Sequence, residues 1–388
     1  VPDRPRGRSV IAVHPNTDLY GSDRMFIESV ATMTPGVLVV LPKSGPLVDD
    51  LTARGVALEI RPFPVLRKVE LRKPRRALVF AVQFLVSVVT ITRWLRRERP
   101  AVLYVSTIAA PEWLLAGRLA GTRVVCHVHE SEPQWPRLAS MVLLSPLWAA
   151  HGIIANSGDC LNWIRSALGD RLSRRGQVVH NGVREPAVPV PDGAGSDGGP
   201  RSLVVVGRLS ERKGQDVAIA ATALVRQAGH DVTLTLVGDG YPGYEDVVDG
   251  LHALTRELGV DDVTVFTGFQ DPAPHVAAAD VVLVPSRVEP FGLVAVEALL
   301  LARAVVAAGV GGLTEIIEDG VTGLLVPPDD PRALADAIEA LLADPARAQA
   351  LGRAGRADAR ARFSLAAYSA RLADAVHGSA GARGSTPA

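Results

Sequence analysis

Short unbroken apolar runs alternate along this chain with longer stretches in which apolar positions recur every three or four residues. A short continuous apolar run suits a strand covered on both faces, and its alternation with helical patterns predicts βαβ units and parallel sheets. In the first half, strands are expected at Ser9–His14, Gly36–Leu41, Val102–Ser106, Arg123–Val128, Gly152–Ala155 and Gln177–Val179. The segment from Glu185 to Arg201 is rich in Pro, Gly, Ser and Asp and has no periodicity, so it reads as a linker or exposed loop. The pattern then restarts, with strands expected at Ser202–Gly207, Thr233–Gly238, Val263–Thr267, Val281–Pro285, Ala304–Ala308 and Gly323–Val326, and a helix at Pro331–Ala343. The fold class is therefore α/β, with two Rossmann-like domains of parallel sheet facing each other across a cleft. The expected divisions are an N-terminal domain at 1–185, a linker at 186–200, a C-terminal domain at 201–362, a closing helix at 363–377 and a disordered tail at 378–388. Ligands of open parallel sheets sit beyond the carboxyl ends of the strands, so chemistry is sought in the loops that follow them.

Composition narrows the class. The chain has 388 residues, 48% hydrophobic and 21% charged, which suits two globular domains and excludes a disordered polypeptide. Its two cysteines, Cys126 and Cys160, are too few for a disulfide scaffold and lack metal-ligand partners at close spacing, so a cytoplasmic setting is expected. The opening Val1–Ser9 is rich in Pro and Arg and does not read as a signal peptide. The net charge of zero hides an asymmetry: Val1–Glu185 holds 25 Lys+Arg against 15 Asp+Glu, and the remainder 16 against 26. Either the basic half meets an anionic partner, or the two halves attract each other. Nothing in the pattern points to nucleic acid.

The basic residues cluster around one apolar run. Arg67, Lys68, Arg72, Lys73, Arg75 and Arg76 precede Ala77–Thr92, and Arg93, Arg96, Arg97 and Arg99 follow it. As a helix that run spans about 24 Å, short of a hydrocarbon core of about 30 Å. Gln83, Ser87 and Thr90 share one side of it. The reading adopted is a core helix of the N-terminal sheet. The cationic flanks keep a second reading open, peripheral contact with anionic lipid at the inner face of the plasma membrane.

Three segments carry candidate chemistry. Glu289-Pro-Phe-Gly-Leu-Val-Ala-Val-Glu297 follows an expected strand. A helix is expected to begin at Phe291 or Gly292, with Glu297 about two turns in and the amides of Phe291, Gly292 and Leu293 forming an anion site. Gly207-Arg-Leu-Ser-Glu-Arg-Lys-Gly214 also follows a strand, and Arg208 and Lys213 are spaced to grip a diphosphate from two directions. Gly309-Val-Gly-Gly-Leu-Thr-Glu315 and Asp319-Gly-Val-Thr-Gly323 offer glycines where backbone approaches a ligand or simply a neighbouring helix. Alone, each segment also suits a solvated loop or helix end.

Together, in order and spacing, these segments resemble the family-four retaining glycosyltransferases of the GT-B fold (glycosyl transferases group 1), specifically over about Arg201–Phe363. The resemblance implies that Arg208 and Lys213 bind the donor diphosphate, Glu297 the ribose and Glu289 the transferred sugar. It implies that the amides of Phe291, Gly292 and Leu293 hold sugar and phosphate, that Phe269 and Gln270 line the base, and that Phe363–Val376 crosses back to the N-terminal domain. In the first half, Tyr20-Gly21 stands where the family has two glycines against the diphosphate; Gly21 matches the second and Tyr20 replaces the first. Asp23 is expected to cap the following helix. His129 matches a family histidine near sugar and acceptor, with a structural role the alternative. His127, two residues earlier, is expected on the opposite face. Asn156-Ser157 and His180-Asn-Gly-Val183 match landmarks near the cleft and hinge.

The activity so implied is retaining transfer of a sugar from a nucleoside-diphosphate sugar, UDP- or GDP-linked, to an acceptor hydroxyl. The expected catalytic residues are Glu289, His129, Arg208 and Lys213. The acceptor is a glycan, a lipid-linked sugar or a small molecule, with cell-envelope or exopolysaccharide assembly ahead of secondary-metabolite glycosylation. No metal or other cofactor is expected, and the sequence has no Asp-x-Asp pair. A sugar-nucleotide epimerase of related fold would need no acceptor, and a noncatalytic binding protein would tolerate loss of Glu289 or Lys213; both residues are present.

Overall fold

A computed structural model describes residues 9–19, 21–66, 74–190, 199–240 and 245–378. Tyr20, Arg67, Lys68, Arg72, Lys73, linker residues 191–198 and the tail from 379 lie outside the described residues. The chain divides into two compact units, Val1–Gly182 with Leu365–Ala388, and Val183–Ser364.

The first unit is built on a parallel seven-stranded sheet in the order β3-β2-β1-β4-β5-β6-β7. Its strands are β1 (Val10–Val13), β2 (Val37–Leu41), β3 (Ala57–Ile60), β4 (Val102–Val105), β5 (Arg123–Val128), β6 (Gly152–Ala155) and β7 (Gly176–Val178). Ile11, Val13, Leu38, Val40, Leu103 and Val105 join one core on one face, as strands buried on both sides require. The second unit has a parallel six-stranded sheet in the order β10-β9-β8-β11-β12-β13. Here the strands are β8 (Arg201–Val206), β9 (Val232–Val237), β10 (Thr264–Phe266), β11 (Val281–Val284), β12 (Ala304–Ala308) and β13 (Leu324–Val326). Each expected strand forms within a residue of its anticipated bounds. The strand not anticipated is β3, an edge strand whose Ala-Leu-Glu-Ile sequence is partly solvated along its length, so it carries no continuous apolar run.

Two helices differ from expectation. The basic segment forms one helix, Pro74–Glu98, longer than the anticipated sixteen-residue run. Val88, Ile91, Thr92, Trp94 and Leu95 are buried, and Thr92 donates to the Ala116 carbonyl of helix Pro111–Ala120. Leu78, Val79, Val82, Leu85, Val86 and Val89 are instead exposed, so the core-helix reading holds only for the carboxyl half. The closing helix begins at Leu365, not Phe363. Phe363 stays in the second unit, its ring edge-on to Phe291 at 5.8 Å, and its carbonyl accepts from the Val183 amide at 2.8 Å.

From Leu365 to His377 the helix belongs to the first unit and lies on helix Gly21–Met33. Tyr368, Leu372 and Val376 are buried; the Tyr368 hydroxyl meets Ser29 Oγ at 2.6 Å, and Thr32 Oγ1 donates to Ser369 Oγ at 3.0 Å. Removing a buried leucine side chain costs about 2–5 kcal/mol. Leu372→Ala should therefore destabilise the first unit by that amount. Urea unfolding followed by tryptophan fluorescence checks this, because Trp94, Trp113, Trp135, Trp148 and Trp163 all lie in the first unit. An unchanged midpoint would mean that the helix is not part of this unit's core.

Candidate functional site

In the second sheet the chain leaves β8 outward through β9 and β10, then returns to run the other way through β11, β12 and β13. The loops after β8 and β11 therefore diverge at neighbouring strand ends, the place where open parallel sheets hold ligands. The two loops nonetheless touch at their base. Gly214 has φ +67°, and a Cβ on it would stand 2.1 Å from the Pro285 carbonyl oxygen, so this approach needs glycine. The turn Glu211–Lys213 then aims Lys213 across the gap: its Nζ lies 2.5 Å from Glu289 Oε2, which also accepts from Ser286 Oγ at 3.1 Å. The two strongest candidates from the separate motifs are thus ion-paired. Glu289 is nearly buried, Lys213 and Arg208 half-buried.

Arg287 fixes this arrangement. Its Nη1 and Nη2 donate to the two Asp216 oxygens at 2.9 and 2.6 Å, Nη1 also donates to the Glu211 carbonyl at 2.6 Å, and Nε donates to Asp329. The Arg287 amide donates to the Arg212 carbonyl at 2.8 Å. Burial opposes ionisation of Asp216, but the Arg287 hydrogen bonds and charge prevail and hold it below the usual carboxylate range. Sequence reasoning passed over Ser286 and Arg287. The available signal was their position immediately after an expected strand.

Helix Leu293–Leu300 follows, with Gly292 at its N-cap at φ +115°. The start falls one or two residues after the expected one, and Glu297, half-buried, stands just over one turn in instead of two. The first helical amides have no partner within the helix, while the Ala295 amide returns to the Gly292 carbonyl at 3.0 Å. The glycines after β12 serve close packing against this loop. The Gly312 amide donates to the Glu289 carbonyl at 2.9 Å, and a Cβ there would stand 2.5 Å from Phe291 Cα. After β10, Phe269 is 61% exposed. The Gln270 side chain is held by the Thr267 carbonyl at 3.1 Å and His275 Nε2 at 2.9 Å. Arg208, Lys213, Glu289, Phe291, Gly292, Leu293 and Glu297 thus belong to loops and a helix at one end of a single sheet.

The first sheet reverses between β1 and β4. His14, just after β1, meets Ser106 Oγ, just after β4, through Nδ1 at 2.5 Å, and Asp23 Oδ1 through Nε2 at 2.7 Å. Asp23 lies inside helix Gly21–Met33, so its carboxylate serves His14 and is not the expected cap; Gly21 opens that helix. His127 and His129 do not point to opposite faces. Their rings are 4.0 Å apart, as residues two apart on a strand share a face. His127 Nδ1 meets the Tyr104 hydroxyl at 2.6 Å, while the Nε2 atoms of His127 and His129 and Asn156 Oδ1 are buried without a hydrogen-bond partner. Burial, and then His14, push the His129 imidazolium down to about 3, with Asp23 pulling the other way. Burial raises Glu130, against hydrogen bonds from the Thr107 hydroxyl and the His129 amide. At neutral pH His129 is thus a neutral imidazole with one nitrogen unsatisfied, a group able to position a hydroxyl or receive a proton. Ser157 caps helix Gly158–Leu168 by accepting from the Cys160 amide at 3.1 Å. Among the described residues, no three His, Cys, Asp or Glu side chains gather into a metal-binding group.

Two parallel α/β units, with polar residues at the reversal point of each sheet, define the two-domain GT-B fold. The structure of Anabaena Alr3699/HepE in complex with UDP-glucose superposes with a TM-score of 0.79 at 25% identity, over 94% of this chain and 98% of that one. Residues 37–185 match the family model for Glycosyltransferase Family 4, and residues 200–344 that for Glycosyl transferases group 1. The chain belongs to the family-four, group 1 glycosyltransferases. It is 44% identical over 174 residues to a D-inositol 3-phosphate glycosyltransferase of Corynebacterium aurimucosum, covering 44% of this chain and 41% of that one. It is 33% identical over 174 residues to an alpha-D-kanosaminyltransferase of Streptomyces kanamyceticus, covering 44% of each. The chain thus spans less than half the length of these curated relatives.

The unpaired histidine has a measurable consequence. Its folded pKa of about 3 lies below the free value of about 6.5, so the unfolded chain binds more protons between those pH values. The associated stability is fully present above pH 6.5 and is lost as pH falls toward 3. From pH 7 to pH 5 the wild type should therefore lose up to about 2 kcal/mol more than His129→Gln. Urea titrations of both proteins at the two pH values test this, and parallel losses would contradict the buried neutral imidazole.

Proposed function

We propose that this protein transfers a sugar from a nucleoside-diphosphate sugar to an acceptor hydroxyl with retention of configuration, and that its second unit holds the donor. The observation that carries the reading is the convergence of Lys213, Arg208, Glu289 and a helix start at the reversal point of one parallel sheet. Arg208, Lys213 and the amides of Phe291, Gly292 and Leu293 bind the diphosphate and sugar, Glu297 takes the ribose and Glu289 a sugar hydroxyl. Phe269, exposed, and Gln270 line the base. The HepE structure with UDP-glucose supports a UDP-hexose donor.

The ion pair gives this site a particular electrostatic character. An arriving diphosphate takes Lys213 from Glu289 or shares it, while Glu289 retains Ser286 Oγ and turns to the sugar. In the reaction the bond from the anomeric carbon to the diphosphate breaks and a bond from that carbon to the acceptor oxygen forms on the same face. The acceptor proton passes to the leaving diphosphate. Arg208 and Lys213 stabilise the charge growing on the leaving group, a stabilisation larger in the transition state than in the bound donor. Within the first unit, the neutral His129 imidazole, with its buried Nε2 unsatisfied, is suited to positioning an acceptor hydroxyl.

The acceptor is a cell-envelope or exopolysaccharide glycan or its lipid-linked precursor, which suits the excess of cations in residues 1–185. The likeness to an alpha-D-kanosaminyltransferase favours a second reading, a small secondary metabolite. The buried thiols of Cys126 and Cys160, both unpaired with each other, suit a reducing cytoplasm.

Two experiments test the reading. Lys213→Ala should weaken UDP binding by tenfold or more, about 1.4 kcal/mol, because a charge-assisted contact is lost. Glu289→Gln frees Lys213 from its partner and should leave UDP affinity unchanged or stronger while turnover falls. Isothermal titration with UDP, alongside UDP-glucose turnover, separates the two; wild-type UDP affinity in Lys213→Ala would sink the assignment. Because cationic side chains and a helix start meet the diphosphate, turnover should persist in EDTA. Activity lost in EDTA and restored by magnesium would overturn the metal-free reading.

A further inference from the structure

We infer that helix Pro74–Glu98 is a membrane-docking element that lies flat in the headgroup region of an anionic bilayer. The inference stands on a helix of the first unit, whereas Arg208, Lys213 and Glu289 belong to the second. Leu78, Val79, Val82, Leu85, Val86 and Val89 are between 49% and 68% exposed. At about 100° per residue they fall on one stripe about 120° wide. Scattered exposed apolar residues are ordinary, but six in one stripe form a contiguous patch of the size that marks an interaction site.

The opposite face explains why this helix lies on a membrane and does not cross one. Its Leu78–Glu98 portion is, by length and composition, long and apolar enough to span. Yet Ile91, Trp94 and Leu95 are part of the first unit's core with Trp113 and Phe63. The Arg96 guanidinium also donates to the Leu119 carbonyl at 2.9 Å. Extracting these side chains into lipid would dismantle that core. The helix stays docked on the unit and presents only its outer stripe.

Charge identifies the partner. On the helical projection Arg75 and Arg93 fall within the stripe at its two ends, and Arg96 and Arg97 fall at its edges one turn further on. From Leu71 to Arg97 the sequence holds seven Lys or Arg and no Asp or Glu. An apolar strip bounded by arginines matches a surface that is apolar inside and anionic at the headgroups. A second copy of the chain fits poorly, since pairing two such stripes antiparallel would set Arg75 of one against Arg93 of the other.

The test is co-sedimentation of the full chain with vesicles of phosphatidylcholine, with or without phosphatidylglycerol, at low and high salt. The wild type should bind the phosphatidylglycerol vesicles, ignore phosphatidylcholine alone, and be released at 1 M salt, where the screening length falls to about 3 Å. Partitioning should fall about fivefold for each of Arg75→Gln and Arg93→Gln. The double substitution Val82→Ser with Leu85→Ser should lower it at least tenfold, because the buried apolar area is lost. All variants should keep wild-type UDP affinity and tryptophan fluorescence, since these side chains are exposed on the first unit and Arg208, Lys213 and Glu289 belong to the second. Failure of the wild type to bind anionic vesicles at low salt would overturn the inference. So would full binding by the double serine variant, or a dimer in sedimentation velocity that those serines abolish.

Discussion

The arrangement of the second unit depends on one contact, the ion pair between Lys213 and Glu289 across the ends of β8 and β11. A parallel sheet that grows both ways from adjacent strands must leave diverging loops there. Two half-hidden charges from those loops meet at 2.5 Å, and each would be costly to leave alone. The surrounding devices serve that meeting. Gly214 lets the first loop rest on Pro285, Arg287 ties it down through Asp216 and Glu211, and Gly312 brings the loop after β12 onto Phe291. In the function proposed above, this leaves a cation in place before the diphosphate arrives, which reduces the reorganisation that binding and catalysis require.

The first unit uses the same topology differently. At its reversal point the gap between β1 and β4 is bridged by His14 and Ser106, with Asp23 behind them, so polar side chains stitch the strand ends together. Three of the unsatisfied buried atoms lie further along the sheet, on His127 and His129 at the end of β5 and on Asn156 after β6. Buried polar atoms without partners are uncommon, and such atoms clustered at strand ends suit a surface that a ligand hydroxyl completes.

Much of this was legible in the sequence, for a physical reason. Strands covered on both faces must be continuously apolar, so the inner strands of both sheets announce themselves; among the described residues the strand not anticipated is the edge strand Ala57–Ile60, whose short run is interrupted by Glu59. The donor motifs were legible as separate segments of suggestive spacing, and the resemblance to a family assigned them roles. That Lys213 and Glu289 are ion-paired was not legible, because they are far apart in sequence and meet only through the neighbouring of β8 and β11. Arg287 was hidden for the same reason, since its partners Asp216 and Asp329 lie on either side of it in the chain. Facing was the weakest inference. The pairing of His127 with His129 follows from strand period alone, and the polar side that Gln83, Ser87 and Thr90 give the run at 77–92 does not show that the neighbouring apolar stripe from Leu78 to Val89 is exposed.

The claim on which the account turns is that a nucleoside diphosphate sits at the end of β8 and β11. Hydrogen–deuterium exchange of the full chain with and without UDP tests it most directly, because it reports where protection arises without any substitution. The account predicts slowed exchange concentrated in residues 207–216 and 286–297, with little change in helix Pro74–Glu98. Tight UDP binding with protection elsewhere, and none in those two segments, would contradict it.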